Sequence, residues 1–161
     1  MSPTHRKYSY RPFQLSDLDW MDLLEAEKKV VSNNAELLRG FATKDNTRKS
    51  CFVVIYMGRP LFIAGYYDLG DGAAQIFIIP DKRVLEHPKV FIRNVIRWRL
   101  WLERRPWCSR IQTTSVANEL IDRWMEAMGF VCERELNQYN GTGQDYKLWS
   151  RVKLDGIWRA I

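Results

Sequence analysis

The chain has 161 residues, enough for one domain with a full hydrophobic core. Hydrophobic residues make up 46% of it and aromatic residues 13%, which excludes a disordered protein. The 25 Lys and Arg against 19 Asp and Glu give a net charge of +6, which suits an anionic ligand, a nucleic acid or an acidic protein partner, or serves only solubility.

The first part of the chain predicts one strand and one or two helices. Residues 8–13 predict a strand, and Ser16 is placed to cap the helix that follows. The apolar face of that helix would consist of Trp20, Leu23, Leu24 and one of Val30 and Val31. A short helix is expected at 35–41, followed by the polar loop TKDNTRKS.

The middle of the chain predicts an antiparallel meander. Strand-like runs at 51–56, 61–67 and 73–79 are separated by the turn-like segments MGRP and DLGDG. Such short connections join antiparallel neighbours. Pro80 ends the meander.

An amphipathic helix is predicted at 88–105, with Pro88 in its first turn and Pro106 as its stop. Its buried face would consist of Phe91, Val95, Trp98 and Leu102. Its other side carries a basic stripe formed by Lys89, Arg93, Arg97 and Arg104. This stripe is either a solvated helix face or a surface for an anion or a partner.

A strand, a helix and two further strands complete the prediction. The strand at 108–114 precedes a helix capped by Ser115 and ended by Gly129 in a left-handed conformation. Strands follow at 131–136 and 145–152, separated by the loop NQYNGTGQ. We therefore expect a single domain at 1–152 with a mixed sheet and helices on both faces, and a tail at 153–161 that can dock onto it.

Several functional classes are disfavoured by composition. The three cysteines form no Cys-x-x-Cys pair, so we expect small buried hydrophobes in a reducing compartment. His5 and His87 are too few and too far apart for a zinc site, so no metal is expected. The N-terminal stretch lacks the apolar core of a signal peptide, and no apolar run approaches the ~20 residues of a membrane span. These features predict a cytoplasmic protein.

The spacing of one motif points to a family. Asn118 is followed by Gly129 and Phe130 eleven and twelve positions later, and Arg11-Pro12 ends the first predicted strand. With the order of elements, these features resemble the GNAT superfamily of N-acetyltransferases over about residues 8–152. The resemblance implies an α/β (α+β) fold: a mixed, mostly antiparallel sheet with helices on both faces and strands 4 and 5 splayed. The runs EAEKK and NELIDRWMEAMGF also resemble small GNAT-like proteins of short-tailed bacteriophages, which would place the protein in the host cytoplasm.

The resemblance implies a site for acetyl-CoA or coenzyme A where strands 4 and 5 part, with the pyrophosphate at the start of the next helix. Pro80 and Arg83 match the family's pattern there, but Glu86 and Pro88 replace its two glycines. Glycine lets the backbone approach a phosphate closely, and Pro88 has no N–H to donate. Side-chain cations would then take the phosphates, with Arg83 the best placed. The candidate coenzyme-binding residues are Ile79, Lys82, Arg83, His87, Lys89 and Asn118.

The catalytic residues depart from the family as well. Many members have a Tyr seven residues after the Asn, as the acid for the departing thiolate, whereas Met125 occupies that position here and cannot donate a proton. Tyr139 is a conceivable substitute, or only a loop aromatic. Glu25 and Glu27 are candidates for the general base that keeps the amine neutral, or are surface carboxylates.

Two hypotheses follow. The first is an acyl-CoA-dependent N-acetyltransferase acting on an amine of a protein or a small molecule. The second is a catalytically weak or inactive protein of the same fold that binds a host or virion protein. Nucleic acid is not expected to be the principal partner, because no nucleic-acid motif is present and the charge excess is small.

Overall fold

The computed structural model describes residues 8–42, 49–139 and 143–160. They divide into two compact units. The first contains the described residues up to Tyr66 together with Ile78–Pro88. The second contains Tyr67–Phe77 and the described residues from Lys89 onward.

Strands and helices alternate much as the hydrophobic pattern predicts. The strands are β1 (Tyr8–Pro12), β2 (Lys49–Tyr56), β3 (Arg59–Gly70), β4 (Ala73–Pro80), β5 (Arg110–Val116), β6 (Val131–Leu136), β7 (Tyr146–Leu154) and β8 (Ile157–Arg159). The α-helices are α1 (Glu25–Asn33), α2 (Ala35–Ala42), α3 (Pro88–Glu103) and α4 (Glu119–Ala127). Two 3-10 turns occur at Leu15–Trp20 and Lys82–Leu85.

The described strands form one mixed sheet. Its order is β1-β2-β3-β4-β5-β7-β6, with β8 paired to β7. The β1–β2, β5–β7, β6–β7 and β7–β8 pairs are antiparallel, whereas β4 and β5 are parallel. The parallel register runs only from Ala73–Arg110 to Gln75–Gln112, although both strands continue further. The predicted fold class is thereby confirmed.

The buried residues follow the predicted pattern. In the first unit, β3 contributes the fully buried run of residues 61–64. In the second, all four residues predicted for the buried face of α3 are buried, and the Phe91 ring meets the Trp124 ring at 5.3 Å between centroids. Trp149 on β7 is the largest fully buried side chain among the described residues.

The prediction of a helix capped by Ser16 is wrong. A 3-10 turn forms instead at Leu15–Trp20, with Gln14 as its N-cap. Asp17 is 2% exposed, and its carboxylate pairs with Arg11 and accepts a hydrogen bond from the Gln14 N–H at 2.8 Å. This tertiary pairing fixes the turn, and the α-helix begins only at Glu25.

The prediction that Ser115 caps the later helix is also wrong. Ser115 lies in β5, where its hydroxyl oxygen accepts a hydrogen bond from Trp149 Nε1 at 2.9 Å. Asn118 is the cap, because its Oδ1 accepts from the backbone N–H groups of Leu120 at 2.9 Å and Ile121 at 3.3 Å. Gly129 has a φ of +89°, so the predicted left-handed end of this helix is confirmed.

The C-terminal segment adds an edge to the sheet. Ile157–Arg159 pairs with β7, and Trp158 Nε1 donates a hydrogen bond to the Glu103 carbonyl oxygen at 3.0 Å. Most of the predicted loop TKDNTRKS, the Asn140-Gly141 pair, His5 and Ile161 lie outside the described residues. Across the part of the chain that is described, no helix combines the length and apolar character needed to cross a bilayer.

Candidate functional site

The segment that follows β4 is held by hydrogen bonds to its own backbone and to the residues just before α1. The N–H groups already engaged are those of Lys82 (to Asp22 O), Arg83 (to Asp81 Oδ1), Val84 (to Asp81 O), and Glu86 and His87 (both to Arg83 O). Pro88 has no N–H. Because these donors are occupied, the segment does not offer the ring of free backbone N–H groups that a glycine-rich phosphate loop provides.

Arg83, the residue expected to hold the phosphates, has a different set of partners. Its Nη2 donates to the Pro60 carbonyl oxygen at 2.6 Å, and its Nη1 donates to the Tyr56 carbonyl oxygen at 3.4 Å. Its Nε lies 3.3 Å from Oδ1 of the buried Asp81. The guanidinium therefore ties the end of β4 to the β2–β3 hairpin, and its binding of phosphate stays a prediction.

The side chains of three other predicted coenzyme ligands are less constrained than that of Arg83. Lys82 forms an exposed ion pair of 3.5 Å with Asp22, a contact that solvent screens. The His87 ring packs against the Tyr56 ring at 4.8 Å between centroids. Lys89 is exposed in the first turn of α3, where the early N–H groups of a helix have no intrahelical acceptor.

The side chains of the remaining two predicted ligands, Ile79 and Asn118, serve the fold itself. Ile79 on β4 is buried, with 3% of its surface exposed, so only its backbone could serve a ligand. Asn118 uses its Oδ1 to cap α4, as described above. Its Nδ2 amide is the group that stays suited to a hydrogen bond with a ligand carbonyl.

The two predicted general bases differ sharply. Glu25 is exposed and pairs with Lys28 at 2.7 Å, and this hydrogen bond lowers the pKa of the Glu25 carboxyl. Glu27 is half-buried, and burial raises the pKa of its carboxyl to about 7. A carboxylate with a pKa near neutrality can accept a proton and release it again at physiological pH. Glu27 is thus the better candidate, a distinction that the sequence did not provide.

The position at which the resemblance implies a Tyr holds Met125. Met125 is buried, with 6% exposure, and contributes to the core. Tyr139 is 56% exposed, and its ring lies 5.7 Å from the ring of the buried Tyr146. Burial and the neighbouring Tyr139 raise the pKa of the Tyr67 hydroxyl, which keeps this third phenol protonated. Tyr139 therefore stays a candidate acid by prediction alone.

A cavity that sequence reasoning missed lies at the start of α4, within the second unit. Its volume is about 320 Å³, and Asn118 and Tyr146 are among its lining residues. Four carboxylates and one lysine also line it: Glu119, Asp122, Glu135, Asp145 and Lys147. Lys147 pairs with Oδ2 of Asp122, whereas the buried Oδ1 of Asp122 has no hydrogen-bond partner. The excess of carboxylates favours a cationic group over an anionic one.

Potential metal ligands are not clustered in the part of the chain that the structure describes. No group of three or more His, Cys, Asp or Glu side chains there is arranged to hold an ion.

Comparison by sequence identifies no relative, because no protein-family model and no curated protein matches the chain significantly.

Comparison by structure is informative. A chimera built on the spermidine N-acetyltransferase of Vibrio cholerae matches with a TM-score of 0.65 and 18% identity, over 89% of this chain and 94% of that one. A GNAT-family acetyltransferase of Streptococcus pneumoniae matches with a TM-score of 0.64 and 15% identity, over 90% and 99%. A ribosomal α-N-protein acetyltransferase in complex with coenzyme A matches with a TM-score of 0.63 and 12% identity, over 96% and 98%. The chain therefore has the fold of GNAT acetyltransferases, whereas its resemblance to phage proteins receives no support from these neighbours.

Proposed function

We propose that this protein is an acyl-CoA-dependent N-acetyltransferase that acts on an amine of a protein or a small molecule. The observation that carries the proposal is Glu27, a half-buried carboxyl with a pKa of about 7 in the first turn of α1, in a chain with the acetyltransferase fold. Fold alone does not establish function, so the proposal depends on this residue's chemistry.

The proposed reaction is direct transfer from a thioester. The amine nitrogen attacks the thioester carbonyl carbon, the carbon–sulfur bond breaks, and the amide carries the acetyl group. Glu27 takes the proton that the ammonium or the attacking nitrogen must lose. The leaving thiolate takes a proton from solvent or from Tyr139. Holding thioester and amine together would supply much of the rate.

Coenzyme A would be bound more weakly than by a glycine-loop enzyme. The backbone N–H groups of Lys82, Arg83, Val84, Glu86 and His87 are engaged, and the Arg83 guanidinium contacts the β2–β3 hairpin. The phosphates would then rest on the side chains of Lys82, His87 and Lys89 and on the first turn of α3. Ile79 in the first unit and Asn118 in the second stay predicted ligands, the former through its backbone and the latter through its Nδ2 amide.

Within the second unit, the charge of the acidic cavity at α4 bears on the class of ligand it could bind. Its four carboxylates against one lysine suit a cationic amine. Among the structural neighbours one is named for spermidine and another for a ribosomal protein, so both small and macromolecular amines are represented in this fold. No specific observation favours the alternative of an inactive protein that binds a host or virion partner.

Calorimetry with acetyl-CoA tests the proposed coenzyme site. We expect wild-type protein to bind with a dissociation constant in the micromolar to millimolar range, and Lys89→Ala to bind about tenfold more weakly because a charge-assisted contact is worth roughly 1.5–3 kcal/mol. Arg104→Ala, at the other end of the basic stripe, is the control and should bind like wild type. No heat and no thermal shift at millimolar acetyl-CoA would overturn the proposal.

A further inference from the structure

Asp81 is a buried carboxylate at the end of β4 with only 1% of its surface exposed. Its Oδ2 accepts a hydrogen bond from the Asp22 N–H at 2.8 Å. Its Oδ1 accepts from the Arg83 N–H at 2.8 Å and faces Arg83 Nε at 3.3 Å. A buried carboxylate is tolerated only when its oxygens are satisfied in this way, so each of these bonds is needed.

The connection between Asp22 and the end of β4 is reciprocal. Lys82 donates its backbone N–H to the Asp22 carbonyl oxygen at 2.8 Å. Leu23 forms an isolated antiparallel bridge with Asp81, and its side chain is buried. Both backbone groups of Asp22 are thereby fixed to the Asp81-Lys82 dipeptide.

Helix α1 starts immediately after this connection. Its N-cap residue is Leu24, whose side chain has no group that could satisfy the first-turn N–H donors. The start of α1 is therefore held by the bonds of Asp22 rather than by a local cap. Glu27 lies in that first turn, and its N–H donates to the Leu24 carbonyl oxygen at 2.9 Å.

We propose that Asp81 is a positioning residue for acetyl transfer, which holds the start of α1, the turn that carries Glu27, against the end of β4. The inference rests on the proposed function, because the step it serves is proton removal by Glu27. Arg83 supports the arrangement by bonding Asp81 on one side and the Pro60 carbonyl oxygen on the other.

Asp81→Asn is the most direct variant. An asparagine has one oxygen and one NH₂ where aspartate has two oxygens. Either Asp22 or Arg83 would then face a donor, although the shape of the side chain is nearly unchanged. Asp22→Ala is the matched control, because it removes the exposed Asp22–Lys82 ion pair and keeps the backbone N–H that Asp81 binds.

We expect Asp81→Asn to lower kcat at least tenfold and to move the acidic limb of the pH–rate profile below its wild-type midpoint near 7, since a displaced Glu27 would be more hydrated. The neighbouring lysines have other partners, since Lys28 pairs with Glu25 and Lys82 pairs with Asp22. Burial is therefore what raises the pKa of the Glu27 carboxyl. The control should keep kcat within about twofold and the same midpoint. A variant that only melts earlier, with kcat and midpoint unchanged while folded, would overturn the proposal.

NMR titration of the Glu27 carboxyl separates this inference from the proposed function, because it needs no substrate. A lower Glu27 midpoint in Asp81→Asn than in wild type supports the positioning role, whether or not any amine is acetylated. An identical midpoint overturns it. If Asp81→Asn does not fold, Asp22→Pro removes the donated N–H together with the carboxylate, so Asp22→Ala, which lacks only the carboxylate, is its reference. The new proline would follow the extended Met21, where proline is tolerated. It should lower the same midpoint, and an unchanged value again contradicts the role.

Discussion

Arg151 donates a hydrogen bond from Nη1 to the carbonyl oxygen of Gly129, 2.6 Å away. The Nε of the same guanidinium donates to Glu103 Oε1 at 2.6 Å, and Glu103 also pairs with Arg99. The turn after α4 is therefore tied to β7 and to the end of α3 inside the second unit. Gly129 has a φ of +89°, which favours glycine. A Cβ added there would lie 3.1 Å from Arg151 Nη1, so this guanidinium would have to shift slightly, whereas the 3.5 Å to Arg99 Cζ is an ordinary contact.

Gly129→Val should be strongly destabilising. The left-handed backbone costs a β-branched residue at least ~1 kcal/mol, and a shift of the Arg151 guanidinium adds to this. Gly58→Val is the control, because Gly58 has a φ of +80° with nothing within 4 Å of an added Cβ. Chemical denaturation should give a larger loss for Gly129→Val. Equal losses would show that crowding by Arg151 is unimportant.

Glu27→Gln should abolish the base while making the fold more stable at high pH. The folded-state pKa of about 7 lies above the unfolded value, so the ionised carboxyl destabilises the native state increasingly as pH rises between about 4.5 and 7. We expect the variant to be more stable than wild type by ~1–3 kcal/mol at pH ~8, and equal to it at pH ~4. Melting curves at the two pH values measure this, with Glu25→Gln as the control that gains no stability at pH ~8.

Glu133 should have the opposite pH dependence. Arg110 forms a bidentate pair with it at 2.7 Å, and with a hydrogen bond from Ser150 this lowers the pKa of the Glu133 carboxyl to about 2. The stability it supplies is present above the unfolded pKa and is lost as pH falls toward about 2. Because Glu133 is exposed and solvent screens the pair, Glu133→Gln should cost only ~1 kcal/mol at pH ~7, less than the full pKa shift implies, and little near pH ~2. An equal cost at both values would mean that packing, rather than charge, makes this contact important.

Arg83→Ala should primarily reduce stability. It leaves the buried Asp81 without its cation and the Pro60 carbonyl without its donor, a loss of ~2–4 kcal/mol. Its affinity for acetyl-CoA, measured by calorimetry below its melting temperature, should fall less than that of Lys89→Ala. A selective loss of coenzyme binding with unchanged melting would support the predicted role of Arg83 at the phosphates and contradict a mainly structural one.

The periodic parts of the fold could be predicted from the sequence, and the parts fixed by tertiary contacts could not. The buried face of α3 follows directly from apolar spacing. Ser115 and Asn118 are both good caps, and the choice between them depends on how far β5 continues, which its pairing of Val116 with Tyr146 decides.

The candidate site shows the same limit. Glu25 and Glu27 are two residues apart and chemically identical, yet one pairs with Lys28 in solvent and the other is half-buried. Arg83 matched a family position in the sequence, but its partners come from the β2–β3 hairpin more than twenty residues earlier. Burial and long-range partners decide both roles, and neither is encoded in local spacing.

Amine-dependent release of the coenzyme A thiol from acetyl-CoA tests the central claim most directly. The panel should contain a polyamine, a peptide with a free α-amino group and a lysine-containing peptide, with mass spectrometry of each amine. We predict release that needs an amine, adds one acetyl group to it, rises with pH through about 7 and falls at least tenfold in Glu27→Gln. Release that is the same with and without every amine, or that is unchanged in Glu27→Gln, would contradict the account.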